Sequence, residues 1–333
     1  MADKNIEIEG KQVGRIKAGW ILFKEAWGYL QSDKEMVFIP LVTAILNILL
    51  FGFLMTIFFF LVLNGTFSIS SEGETSSVGE YIFYFFIYLI GAFTLALSQA
   101  GVAHTVYTRA HGGDATLGES LKVAFSHWAS LLLWSAITST VGLILRMIAE
   151  RSKLLGRIVV ALFGVAWSIL TYFVVPAIVL DKKSAPAAIG HSAKVLKQTW
   201  GEAAVSNVSL SIVFLFAYIF LMIAGFGLII FLVSANVGSA IWFVLPLMVI
   251  GFIALVLVQS TLESVIKTLL YIYASEGVLP PNFNPVLLQK MLQRKDGAYP
   301  QPPTPPPSTT AQQSSEPVSF TPNSTASEYS SRG

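Results

Sequence analysis

Residues 37–63 read VFIPLVTAILNILLFGFLMTIFFFLVL and contain no charged side chain. An α-helix needs about 20 mostly apolar residues to cross the hydrocarbon core of a bilayer. This stretch meets that requirement, and so do five more: Tyr81–Ala103, Ala129–Ile148, Ile158–Leu180, Val205–Val233 and Ala240–Leu262. Barrel strands alternate over about ten residues, whereas these runs are continuously apolar over helical lengths, so helices are the reading. The third run is the most polar, with Ser135, Thr138, Ser139, Thr140 and Arg146. The sequence therefore predicts an all-α, polytopic transmembrane bundle of about six spans.

Composition agrees. Of 333 residues, 54% are hydrophobic and only 12% charged, against about 25% charged in soluble domains. With no cysteine there is neither a disulfide framework nor thiolate chemistry. A net charge of +2 gives no footing for nucleic acid. The segment before the first run carries Asp3, Glu7, Glu9, Glu25, Asp33 and Glu35. It is too long and too acidic for a secretory signal, so the first run is expected to be retained as a span.

Lys and Arg collect on the cytoplasmic side of membrane proteins. Lys4, Lys11, Arg15, Lys17, Lys24 and Lys34 precede the first run; Arg109 and Lys122 follow the second; Lys182, Lys183, Lys194 and Lys197 follow the fourth; Lys267, Lys290, Arg294 and Lys295 follow the sixth. Residues 64–80 and 234–239 have none. Both termini are expected in the cytoplasm, of a plasma membrane. Arg146, Arg151, Lys153 and Arg157 run against this pattern. Either that pair of segments crosses regardless, as its length favours, or residues 129–180 form a re-entrant hairpin with a basic tip inside.

Three domains follow: 1–36, a cytoplasmic segment with an interfacial helix at about 13–31; 37–276, the membrane domain; and 277–333, cytoplasmic. From about 297 the chain is rich in Pro, Ser and Thr. Such composition cannot offset its ordering entropy, so a disordered tail is expected, with polyproline character through which a protein partner could dock.

An internal repeat precedes alternate spans. Ile16, Trp20, Phe23 and Trp27 are spaced four, three and four apart, and so are Leu117, Leu121, Ala124, Trp128 and Ile189, Ala193, Leu196, Trp200. Each set falls in a stripe about 60° wide on one helix face. The second and third copies share Ser-x-Lys-Val, at Ser120 and Ser192. The chain thus reads as three units of surface amphipathic helix plus transmembrane hairpin. The Trp and Phe side chains suit the headgroup boundary, and Lys17 and Lys24 suit anionic headgroups. Alternatively the stripes pack on the ends of the spans, which the small Ala124 and Ala193 favour.

Two further motifs carry a resemblance. Val174-Val-Pro-Ala-Ile-Val and Ala188-Ile-Gly-His-Ser-Ala-Lys-Val-Leu-Lys-Gln-Thr-Trp-Gly resemble the signature of an uncharacterised family of polytopic bacterial and archaeal membrane proteins. Asp33-Lys34-Glu35, Pro40 and the ending Leu270-Tyr-Ile-Tyr-Ala-Ser-Glu-Gly277 are similar too. The family implies a fold and no function. A looser likeness, to the membrane domain of glycerophosphoryl diester phosphodiesterases, hints at lipids and transfers no catalytic residue.

No catalytic, cofactor or metal site can be drawn. His104, His111, His127 and His191 lack metal-ligand spacing, and the nucleotide and hydrolase fingerprints are absent. In His111-Gly-Gly-Asp114, the glycines mark a loop and Asp114 or Thr116 a helix cap. The intramembrane candidates are Asn47, Gln99, Gln259, Glu263 and Lys267, since polar groups inside spans are either helix–helix glue or functional. Gln259, Glu263 and Lys267 share one helix face, and Trp242 at one interface would put Glu263 and Lys267 at the other as a boundary ion pair. A non-enzymatic scaffold, lipid-organising protein or partner subunit is the reading; a transporter or channel for a small solute or lipid is the alternative. A shared space among the polar residues would favour the second.

Overall fold

The computed structural model describes residues 5–8, 11–14, 24, 26–31, 33–65, 78–152, 154–199, 203–235, 237 and 241–277. The fold is an all-α polytopic bundle, and six helices among the described residues are long and apolar enough to cross a membrane. A small antiparallel ribbon, β1 (Asn5–Ile8) with β2 (Lys11–Gly14), precedes it. Val13 and Gly14 belong to that ribbon, so the first amphipathic helix does not begin at Val13; helix is described at Lys24 and at 26–31. Lys17, Trp20, Phe23, Trp200 and the Pro-rich tail lie outside the described residues.

A 3-10 turn, Lys34–Val37, leads into α1 (Phe38–Leu63). Then come α2 (Val78–Ala110), α3 (Leu117–Ser126), α4 (Trp128–Arg151), α5 (Leu154–Leu170), α6 (Val174–Val179), α7 (Ala185–Thr199), α8 (Ala203–Ser234) and α9 (Ile241–Glu276). The central packer is α2, which lies against α1, α3, α4 and α9. Phe53 is 68% exposed, Phe220 74% and Phe243 80%, an arrangement that water would penalise and lipid does not.

At 1.5 Å per residue, the 33 residues of α2 and the 36 of α9 exceed the ~30 Å hydrocarbon core. The surplus makes the protein core. Ala96, Leu97, Ala100, Val102 and Val106 on α2 meet Leu262, Val265, Ile266, Leu269 and Leu270 on α9, with α6 entirely buried beside them. Small residues allow the close approach: a Cβ on Gly101 would stand 2.8 Å from Ile39 Cγ2. We call this the core end, and the end bearing Tyr81 and Glu150 the far end.

The fourth span is broken. Pro176 has no N–H and its ring clashes with a preceding carbonyl, so α5 stops at Leu170 and α6 begins at Val174. Elsewhere the helix stops are conventional. Gly112 has φ +80°, and the Gly113 N–H reaches the Thr108 carbonyl at 2.9 Å and the Gly112 N–H that of Arg109 at 3.0 Å. That is a Schellman ending. The Thr116 hydroxyl and Glu119 carboxylate then form a reciprocal capping box on α3, so Thr116 is the cap and Asp114 does other work.

Candidate functional site

The two described surface helices, α3 and α7, are riveted to the core end by equivalent serines. Ser120 is fully buried and its hydroxyl lies 2.7 Å from Thr105 Oγ1. Ser192, also fully buried, accepts the Phe173 N–H at 3.0 Å and donates to the Leu170 carbonyl at 2.8 Å. Both are backbone groups left over by the turn where the fourth span breaks. The buried face of α7 is therefore Ala185, Ala188, Ser192 and Val195, with Leu196 alongside, rather than the stripe through Ile189 and Ala193. Within the shared Ser-x-Lys-Val, serine and valine turn inward and Lys122 and Lys194 outward.

Outward from these helices stand Lys122, Lys194 and Lys197, with exposed Phe125 and Trp128. Trp128 is the first residue of α4 rather than the last of α3. Trp27 and Lys24 are exposed too.

An ionic framework closes the core end. Arg109 Nε lies 2.7 Å from Asp33 Oδ2, as an ion pair without the alignment of a hydrogen bond. The same guanidinium reaches Asp114 at 2.8 Å, while Asp33 Oδ1 accepts the Glu35 N–H. His111 Nε2 is 3.1 Å from Glu276 Oε2. Asp181 Oδ2 takes the Tyr271 hydroxyl at 2.8 Å, with Lys183 Nζ at 3.3 Å and His191 Nε2 at 3.4 Å. Burial pushes the His191 imidazole below its ordinary range; Lys183 and Lys194 add to this and Asp181 opposes it.

The intramembrane candidates separate into distinct places. Asn47 Nδ2 donates to Thr94 Oγ1 at 2.7 Å, tying α1 to α2, and Gln99 is half-buried on α2. On α9, Gln259 accepts the Tyr218 hydroxyl at 2.8 Å and donates to Glu263 Oε1 at 2.7 Å. Lys267 Nζ sits 5.0 Å from the Tyr172 ring centroid. The boundary ion pair expected between Glu263 and Lys267 does not form; each side chain turns to a different neighbour.

At the far end, Arg146 pairs with Glu150 at 2.7 Å and stacks 3.6 Å over the Tyr84 ring. Tyr81 donates to Glu150 at 3.0 Å. The last turn of α4 thus lies beside the first turn of α2. This guanidinium is neutralised where the basic pattern is violated.

Residues 78–279 match a family of unknown function, DUF6159. The chain belongs to that family. The DUF6159 match starts at the first residue of α2 and runs past the end of α9, taking in both serine rivets, Asp181 and the Gln259–Lys267 face. No curated protein and no solved structure matches the chain, so the likeness to glycerophosphoryl diester phosphodiesterases has no match behind it.

The sequence reading missed Asp33, Arg109, Asp181 and Tyr271 as a framework, although Asp33, His191 and Tyr271 lay inside the motifs quoted for the family. The missing signal was spatial, since Asp33 and Arg109 are joined only by the fold.

Proposed function

We propose that this is a non-enzymatic protein of the plasma membrane, with both termini cytoplasmic, that organises anionic lipid around the core end of its six spans. The observation that carries the reading is the basic and aromatic outer face of α3 and α7. Lys122 and Phe125 are exposed on α3, Trp128 just beyond its end, and Lys194 and Lys197 on α7, helices whose other faces are held by buried Ser120 and Ser192. Each basic residue near an anionic surface contributes about 1 kcal/mol, and rigid mounting avoids the ordering cost that a flexible basic tail would incur. The orientation is supported by the lysine and arginine bias.

The test is lipid retention by the purified protein in native mass spectrometry. Wild type should retain phosphatidylglycerol over phosphatidylcholine of matched chains, and K122Q/K194Q/K197Q should lose most of that preference. An unchanged preference in the triple variant would overturn the reading.

One observation favours a transporter: broken spans often line binding sites, and the fourth span breaks beside Lys267. Against it, Ser192 takes up the Phe173 N–H and the Leu170 carbonyl at the break, and Asn47 and Glu263 are engaged in separate places. Proteoliposomes should therefore leak small ions and dyes no faster than empty vesicles.

A further inference from the structure

Glu263 and Lys267 lie one helical turn apart, about 5–6 Å between Cβ atoms at this spacing, yet they do not close on each other. The reason is visible in their neighbours. The Tyr218 hydroxyl occupies the Gln259 carbonyl oxygen at 2.8 Å, which turns the Gln259 amide nitrogen toward Glu263 Oε1 at 2.7 Å. The carboxylate is held by that oxygen and keeps Oε2 uncommitted. Lys267 is drawn instead toward the Tyr172 ring at the broken span. Among the described residues, no carboxylate reaches ion-pair distance of Lys267 and no cation reaches that distance of Glu263. Both residues keep partial exposure.

Their depth is informative. Trp242, 79% exposed, begins the exposed apolar face of α9, and about 20 residues of helix cross the hydrocarbon. That places the boundary near Leu262 and puts Glu263 and Lys267 at the level of headgroups. Opposite charges that sit one turn apart there without direct contact are each stabilised further by a ligand that meets both. A purely anionic headgroup would meet Lys267 well and be repelled by Glu263. A simple cation would do the reverse.

We propose that Lys267 and Glu263 form a headgroup site for a zwitterionic phospholipid, with the phosphate on Lys267 and the ammonium on Glu263. The proposal rests on the lipid reading above but names a different place and a different headgroup from the basic outer face of α3 and α7.

The experiment uses the full chain in nanodiscs of equal phosphatidylethanolamine and phosphatidylglycerol, read by native mass spectrometry. Wild type should carry phosphatidylethanolamine preferentially through delipidation. E263Q should lose the preference for the amine-bearing lipid, by about tenfold, while K122Q/K194Q/K197Q should keep it. An E263Q protein with the wild-type ratio would overturn the site even if phosphatidylglycerol is still retained by α3 and α7. As a measurement independent of variants, a headgroup-photoreactive phosphatidylethanolamine should crosslink to wild type within residues 259–273. Crosslinks confined to α3 and α7 would overturn the proposal and leave the lipid reading standing, whereas absence of any retained lipid would overturn both.

Discussion

Ser192 accepts the Phe173 backbone N–H at 3.0 Å and so joins the second described surface helix to the break in the fourth span. The same hydroxyl donates to the Leu170 carbonyl, and one side chain therefore satisfies the N–H and the carbonyl that the tightened turn at 171–173 leaves over. A buried polar group left unsatisfied costs about 1–3 kcal/mol. Ser192→Ala is expected to lower the midpoint of thermal unfolding, by roughly 2–4 °C per kcal/mol. Ser120→Ala should cost less, because Thr105 keeps its own bond to the Gly101 carbonyl. Equal losses in the two variants would contradict the bridging role.

Gly101 and Ile39 test the close packing of the core end. An alanine at 101 would place its Cβ 2.8 Å from Ile39 Cγ2, on a side chain only 1% exposed. Overpacking of this kind costs about 1–3 kcal/mol. Gly101→Ala should reduce the yield of folded protein and its thermal stability, and adding Ile39→Ala should recover part of the loss, a coupling that a double-mutant cycle reads directly.

The Asp33–Arg109 pair predicts an asymmetry. Asp33 is 4% exposed and Asp114 85% at their side chains. Removing Arg109 strands a buried carboxylate, at about 3–5 kcal/mol; Asp114→Ala removes a surface pair worth about 0–1 kcal/mol. Thermal unfolding of Arg109→Ala and Asp114→Ala should differ accordingly.

His191 gives a pH dependence of defined sign. The folded state holds the imidazole below its ordinary value, chiefly by burial. An unfolded histidine titrates near 6.5. Below that pH the unfolded chain takes up a proton that the folded chain resists, so stability rises with pH through this window and is lost as pH falls. Unfolding midpoints of wild type and His191→Gln from pH 5 to 7.5 should converge toward acid.

Much of the fold was legible because lipid demands long apolar runs: the six runs match six helices to within a few residues at most ends. What was misread has physical causes. The apolar stripe through Ile189 and Ala193 does not mark the buried face of α7, because Ser192, polar by type, turns inward to serve a broken backbone. The break after Leu170 does not show in the apolar run, because hydropathy is blind to the missing N–H of Pro176. The extensions of α2 to Ala110 and α9 to Glu276 were clipped because Ser, Thr, Glu and Lys lower the apolar average there, although those residues pack in a protein core. The polar candidates Asn47 and Gln259 were found by type, while their division into separate places depended on which helices touch.

The most direct test of the account is the sidedness of α3 and of the turn after α4. The chain has no native cysteine, so Ser126→Cys and Ser152→Cys each carry a single thiol. If α4 crosses fully beside α2, with its last turn at the Tyr81 end, an impermeant maleimide should label Cys at 152 in intact cells. It should label Cys at 126 only after permeabilisation. Labelling of both positions only after permeabilisation would mean that residues 129–180 form a hairpin that returns to the cytoplasm, and would contradict the six-span arrangement on which the lipid-facing platform depends.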